Sequence, residues 1–232
     1  MKIAMWSGPR NLSTAMMYAF GNRTDFSVWD EPFYAAYLDA TGIDHPLRDE
    51  ILAAHETDPV RIAARCSGST PNDAPHYYMK HMGFHMVPSF PMDWAVECQN
   101  LHLIRHPARV VASYMAKRES PTLRDIGFAQ QAEIFERFPG PVIDSARIRR
   151  DPDAQLRKLC AAIGLDFDPA MLAWDAGPRA FDGIWAAHWY GAVHRSTGFA
   201  GAEGPLPELD GGAAALVEDA MPYYEKLSEL AI

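Results

Sequence analysis

The sequence predicts an α/β fold: a three-layer sandwich with a central, mostly parallel sheet of about five strands and helices on both faces. Three observations predict it. Short apolar segments bounded by Gly, Pro, Asp or Asn recur along the chain, and helical patterns lie between and after them. The first apolar segment runs through a tight loop straight into a helix. At 232 residues the chain suits one domain over 1–232 with a single substantial core.

Five segments read as strands: "KIAMW" (2–6), "FSVWDE" (26–31), "HYYMKHM" (76–82), "NLHLIRH" (100–106) and "GPVIDSA" (140–146). Between the first two, "STAMMYAFG" reads as a helix with Gly21 as its C-terminal cap. "PARVVASYMAKR" begins on Pro107, a residue favoured in a first helical turn. "DPDAQLRKLCAAIG" places Leu156, Leu159, Cys160 and Ile163 on one face and ends at Gly164. A last amphipathic helix covers about 211–230. "MAKRESPTLRDIGFAQQ" (115–131), mixed in charge, reads as part of a solvated lid, and "STGFAGAEGPLPELDGG" (196–212) as a surface excursion. Ligands of parallel sheets sit beyond the carboxyl ends of the strands, so functional residues should follow each strand directly.

Composition narrows the function. Hydrophobic residues are 48% and charged residues 22% of the chain, the balance of a soluble globular protein. A net charge of −9 disfavours nucleic acid or an anionic membrane as the main partner, though a pocket for a small anion needs only a few local cations. No apolar run approaches the roughly 18 residues of a membrane span, and the N-terminus lacks a signal-peptide pattern. Cys66, Cys98 and Cys160 fit neither a disulfide framework nor a zinc site and point to reduced thiols in a cytoplasmic protein.

The loop after the first strand is Ser7-Gly8-Pro9-Arg10-Asn11-Leu12-Ser13-Thr14. It is P-loop-like in position, yet it lacks the lysine of G-x-x-x-x-G-K-[ST]. The physics of an anion site remains, because N–H groups at a helix N-terminus converge and the helix dipole favours negative charge. Ser13 and Thr14 add hydroxyl donors, and Arg10 adds a cationic fork. A helix start with ordinary caps and a solvated arginine would read the same way. "LHLIRHPARVVASY" shifts the balance: Arg105 ends a strand and Ser113 follows eight residues later in the next helix. Two anion sites on neighbouring strands suit a ligand with two separated phosphate groups.

Together "PRNLST" and "RHPARVVASY" resemble the sulfotransferases that use 3′-phosphoadenosine 5′-phosphosulfate (PAPS). The resemblance implies that Gly8, Pro9, Arg10, Asn11, Leu12, Ser13 and Thr14 cradle the 5′-phosphosulfate and that Arg105 and Ser113 hold the 3′-phosphate. "HRSTGF" (194–199) resembles the late loop that closes over the nucleotide, with Arg195 as a third phosphate contact. "DSARIRRDPDAQLRKLCAAIGLDFDPAMLAW" is similar to the family's last strand, helix and "GL-x-F" turn, and "GPRN-x-ST", "DEPFYA" and "KHM" resemble a bacterial-type subgroup. Leu12 stands where many members carry glycine.

The implied reaction is sulfuryl transfer to a hydroxyl of a small acceptor, with PAPS as co-substrate and no metal. Arg10 would stabilise charge on the departing phosphate electrostatically, since arginine does not readily give up a proton. Glu31, just past the second strand, is the first choice as general base, with His81 second and His85 behind it. Lys80, unusual in a buried strand, would contact the transferred group. Two other readings stay open: a kinase or nucleotide hydrolase, disfavoured by the missing lysine and by having only Asp30 and Asp144 as strand-end magnesium candidates, and a nucleotide-binding relative without transfer activity. The aromatic cluster Trp185, Trp189 and Tyr190 reads as core rather than as a stacking platform.

Overall fold

The computed structural model describes residues 1–116 and 121–232. Residues 117–120, inside the expected lid, lie outside the described residues. In chain order the elements are β1 (Lys2–Ser7), α1 (Ser13–Gly21), β2 (Phe26–Asp30), α2 (Tyr34–Thr41), α3 (Arg48–Ala54), α4 (Pro59–Ser67), β3 (His76–Met82), β4 (Gln99–Ile104), α5 (Pro107–Met115), α6 (Leu123–Ile126), α7 (Phe128–Arg137), β5 (Val142–Asp144), α8 (Ser145–Arg150), α9 (Pro152–Ala162), α10 (Ala186–Trp189), α11 (Gly191–His194) and α12 (Gly211–Ser228). Short 3₁₀ turns link several of them.

The five strands form one parallel sheet in the order β2-β3-β1-β4-β5. The chain builds to one side of β1, then crosses it to lay down β4 and β5, so the direction of winding reverses between β1 and β4. That reversal opens a crevice beyond the carboxyl ends of the strands, where α/β sheets take ligands. In register, Met5 lies beside Lys80, Trp6 beside His81 and His102, and Asp30 beside Lys80.

Strand alternation sorts the core into two layers. Ile3, Met5, Tyr78, Leu101, Leu103 and Ile143 face α1, α8 and α9. Ala4, Trp6, Tyr77 and Met79 face α4 and α7 on the other side. Helix α12 covers α5 and α7 at the β5 edge through Val110, Val111 and Ala220. The expected three-layer α/β architecture is therefore the one observed.

Local differences have local causes. Strand β5 is three residues long rather than seven, because the Asp144 carboxylate caps α8 by accepting from the Ala146 N–H at 2.6 Å. Strand β2 stops at Asp30, since Glu31 adopts φ 41°. Gly21 is not a left-handed cap: Asn22 caps α1 at φ −84°, and a Cβ on Gly21 would stand 2.6 Å from the Phe181 ring. Gly164, at φ 67°, does provide the left-handed turn expected after α9.

Candidate active site

The loop from β1 to α1 is held by its own backbone demands. Gly8 leaves no room for a side chain, since a Cβ there would lie 2.9 Å from the Ile126 carbonyl. Arg10 takes φ 55°, a conformation that non-glycine residues adopt where the surroundings enforce it. Asn11 enforces it: its Nδ2 donates to the Leu103 carbonyl at 3.0 Å, and its Oδ1 accepts from the Leu12 N–H at 2.8 Å. Leu12 sits at φ −82°, so no glycine is needed there, and its side chain packs on the core. From β4's side, buried Gln131 of α7 donates to the carbonyls of Trp6 (3.3 Å) and Leu103 (2.9 Å), tying the ends of β1 and β4 together. No sequence signal marked Gln131.

The loop after β1 and the β4–α5 segment, far apart in sequence, meet here. Arg10 Nε donates to Ser113 Oγ at 2.9 Å, and Arg105 Nη1 donates to the Arg10 carbonyl at 2.6 Å. Burial, then the neighbouring Arg105, lowers the pKa of Arg10. The guanidinium nonetheless stays charged. Pro9, Arg10, Asn11, Leu12, Ser13, Thr14, Arg105 and Ser113 all line one cleft of about 650 Å³. The N-terminus of α1 opens onto it.

Glu31 reaches the same cleft from β2. It is not a solvated turn acid: Glu31 and Asp30 are buried against Lys80, whose Nζ donates to Glu31 Oε1 at 2.6 Å and to Asp30 Oδ1 at 3.0 Å. Lys80 also bonds the Tyr190 hydroxyl, which lies 2.8 Å from both Asp30 oxygens. Trp185 Nε1 donates to Asp30 Oδ2 at 3.0 Å, and the Gly183 N–H does so at 3.1 Å. Burial disfavours the Lys80 ammonium, but the two carboxylates outweigh it and raise its pKa. Burial raises the pKa of Glu31, and Lys80 opposes that without cancelling it.

Lys80 is fully buried and does not line the cleft. The anions it faces are the protein's own, so the expected contact to a transferred group is replaced by charge compensation within the β2–β3 pair. His81 also departs from expectation. One residue further along β3, its side chain points to the opposite face of the sheet, stacked on Trp6 (4.6 Å) and tilted against Trp94 (4.9 Å). Burial drops its pKa to about 3, and it does not line the cleft. His85 does, with Nδ1 3.9 Å from Glu31 Oε2 and its ring stacked on Tyr34 (4.6 Å) and Tyr37 (4.9 Å). Burial, followed by nearby His45 and Lys80, keeps it neutral.

Arg195 is exposed at the end of α11 and is not part of the cleft wall. Two arginines not singled out in the sequence stand beside Arg105 instead. Arg109 and Arg149 converge with it on Glu203, within the segment expected to be a surface excursion. The aromatic cluster divides: Trp185 is buried core, Tyr190 is buried yet also borders the cleft, and Trp189 is a cleft wall. The magnesium candidates are engaged elsewhere, Asp30 as above and Asp144 in capping α8 and accepting from the Tyr224 hydroxyl at 2.8 Å.

Parallel sheet, reversal at β1/β4, and an arginine-bearing loop at the helix N-terminus define a P-loop-like α/β fold. The sulfotransferase domain family matches residues 1–231, and the chain belongs to that family. Two curated proteins of Arabidopsis thaliana are similar to it, branched-chain-amino-acid aminotransferase-like proteins 2 and 1, at 34% identity over 235 residues and 35% over 238. Each alignment covers 97% of this chain but 41% of the relative, so the chain spans about two fifths of their length. Among solved structures, the sulfotransferase domain of the curacin biosynthetic pathway shares the fold at TM-score 0.57 and 15% identity, covering 95% of this chain and 97% of that one. The sulfotransferase domain of the Synechococcus PCC 7002 olefin synthase does so at TM-score 0.53 and 16% identity, covering 98% and 94%. Among the described residues no helix is long and apolar enough to cross a membrane.

Proposed function

We propose that residues 1–232 form one unit that transfers the sulfuryl group of PAPS to a hydroxyl of a small acceptor. One observation carries this reading: Arg10 and Ser113, from the two separate anion motifs, are bonded to each other across the crevice, with Arg105 fixing the loop carbonyl behind them. The N-terminal N–H groups of α1, with Ser13 and Thr14, would take the 5′-phosphosulfate, and Arg105 with Ser113 the 3′-phosphate.

The acceptor would enter over Tyr34, Phe84 and Trp189, which form an apolar wall beside Glu31. Its oxygen attacks sulfur as the bond from sulfur to the 5′-phosphate oxygen breaks in line, and the hydroxyl proton passes to Glu31 Oε2. The electron pair leaves on the phosphate oxygen, where Arg10 and the loop N–H groups would stabilise it. Lys80 holds the other Glu31 oxygen, so the proton would go to Oε2, which lies 3.9 Å from His85 Nδ1. Burial of Glu31, which raises its pKa, makes it a stronger base than a surface carboxylate.

Thermal stabilisation by 3′-phosphoadenosine 5′-phosphate tests the reading, compared with AMP and with ATP plus magnesium. A ligand at about 100 times its Kd adds about 2.7 kcal/mol if it binds only the folded state. A response to the bisphosphate that Arg105→Ala abolishes is expected. A response confined to ATP with magnesium would replace sulfuryl transfer by kinase or hydrolase chemistry.

A further inference from the structure

Glu203 occupies an unusual place for a loop carboxylate. Its side chain is 3% exposed, although Gly201, Ala202, Gly204, Pro205 and Leu206 around it are all exposed and free of helix or strand. Three guanidinium groups from three positions of the fold close on it. Arg105, just past β4, bonds Oε1; Arg149 of α8 donates to Oε1 at 2.8 Å; Arg109 Nε of α5 lies 3.1 Å from Oε2. Arg149 Nε also donates to the Gly201 carbonyl at 2.8 Å, and Arg109 Nη2 to the Gly204 carbonyl. Among the described residues these three arginines pair with no other carboxylate.

The charges do not balance. Three cations surround one monoanion, an excess that a dianion with three acceptor oxygens would meet better. Arg105 also lines the cleft, together with Gly198 and Ala200 from the same loop, so the cluster is continuous with the nucleotide site. The segment is tied down here by one side chain and two carbonyls, and a Cβ on either flanking glycine would meet nothing within 4 Å. Releasing the segment therefore breaks few contacts other than those a phosphate would replace.

We propose that Arg105, Arg109 and Arg149 form a dianion subsite for the 3′-phosphate of the nucleotide, and that Glu203 is its resident stand-in, displaced with residues 201–206 when phosphate arrives. This rests on the nucleotide reading above and extends it. Arg109 and Arg149 become phosphate ligands, and Glu203 becomes an internal competitor that selects for nucleotides bearing a second phosphate.

Calorimetric titration with 3′-phosphoadenosine 5′-phosphate and with AMP tests it on wild type, Glu203→Gln and Arg149→Gln. Glu203→Gln should bind the bisphosphate about tenfold more tightly and Arg149→Gln about tenfold more weakly, with AMP affinity unchanged in both. Hydrogen exchange of 201–206 in the wild type should rise when the bisphosphate is added. Weaker bisphosphate binding by Glu203→Gln, or equal losses for both nucleotides in Arg149→Gln, would make Glu203 a structural strap and overturn the proposal. Should neither wild type nor Glu203→Gln bind the bisphosphate, the nucleotide reading fails, and sulfate judges the subsite alone. Thermal stabilisation of Glu203→Gln by sulfate over chloride at matched ionic strength, lost in the double variant with Arg149→Gln, would retain an anion subsite for free sulfate or phosphate. No such gain would remove it.

Discussion

Lys80 Nζ lies 2.6 Å from Oε1 of Glu31 at the end of the β2–β3 pair, both side chains buried. The pair, with Asp30, holds a formal charge of −1 inside the protein, offset by the donors of Tyr190, Trp185 and Gly183. Removing the ammonium leaves two buried carboxylates without a cation, so Lys80→Met should cost about 3–5 kcal/mol, the range for breaking one partner of a buried ion pair. Urea unfolding measures it. A loss below about 1 kcal/mol would mean that the carboxylates take up protons at little cost.

Glu31→Gln keeps the shape and removes the proposed base. Turnover should fall by about 10²- to 10⁴-fold, the usual contribution of a positioned base, while stabilisation by 3′-phosphoadenosine 5′-phosphate persists. His81→Phe, on the other face of the sheet, should leave turnover within a few-fold of wild type. The reverse pattern in a sulfuryl-transfer assay would move the base to β3's far side and contradict the placement of Glu31.

Arg10→Lys tests whether a fork, rather than a charge, is needed. The guanidinium bonds Ser113 while its backbone carbonyl is held by Arg105. A lysine supplies a point charge without the planar geometry. Turnover should drop by about 10²- to 10³-fold, as when one preorganised donor to developing charge is lost. Full activity in the lysine variant would show that the cradle's N–H groups suffice.

Stability should fall as pH drops below about 6.5, the ordinary histidine pKa. Burial lowers the pKa of His81 to about 3, and burial, partly opposed by the bond to the Phe138 carbonyl, lowers that of His102 to about 4. Depressed folded-state pKa values mean that the unfolded chain binds these protons first. Their contribution is thus complete above pH 6.5 and lost as pH falls from there toward 4 and 3. Each histidine contributes a slope of about 1.4 kcal/mol per pH unit within its window. Asp25, whose bond to Arg23 lowers its pKa, adds loss in the same direction at lower pH. Glu31, raised by burial, acts with the opposite sign. Unfolding measured from pH 7.5 to 5 should show a shallower slope in His81→Phe. An unchanged slope would mean that His81 is protonated equally in both states.

Much of the fold was legible because it depends on local pattern. Strand segments, Pro107 at a helix start, Gly164 after α9 and the strand–loop–helix cradle at residues 6–14 follow from periodicity, capping chemistry and small-residue loops. The cleft was legible where its lining residues follow strand ends directly, as with Arg10, Glu31 and Arg105. It was not legible where a side chain's direction decides. Lys80 and His81 are neighbours in sequence, and the two-residue period of β3 sends one to the carboxylates and the other between two tryptophans.

The sequence by itself determined the layered α/β class and the strand–loop–helix turn after the first strand, both set by pattern along the chain. Only the tertiary structure decided which cations answer to which anions. Arg109, Arg149 and Glu203 are 40 or more positions apart, and they meet with Arg105 because the end of β4, the first turn of α5, the end of α8 and the loop before α12 come together. Charge pairing at short range depends on where side chains point in three dimensions, and spacing along the chain does not encode that.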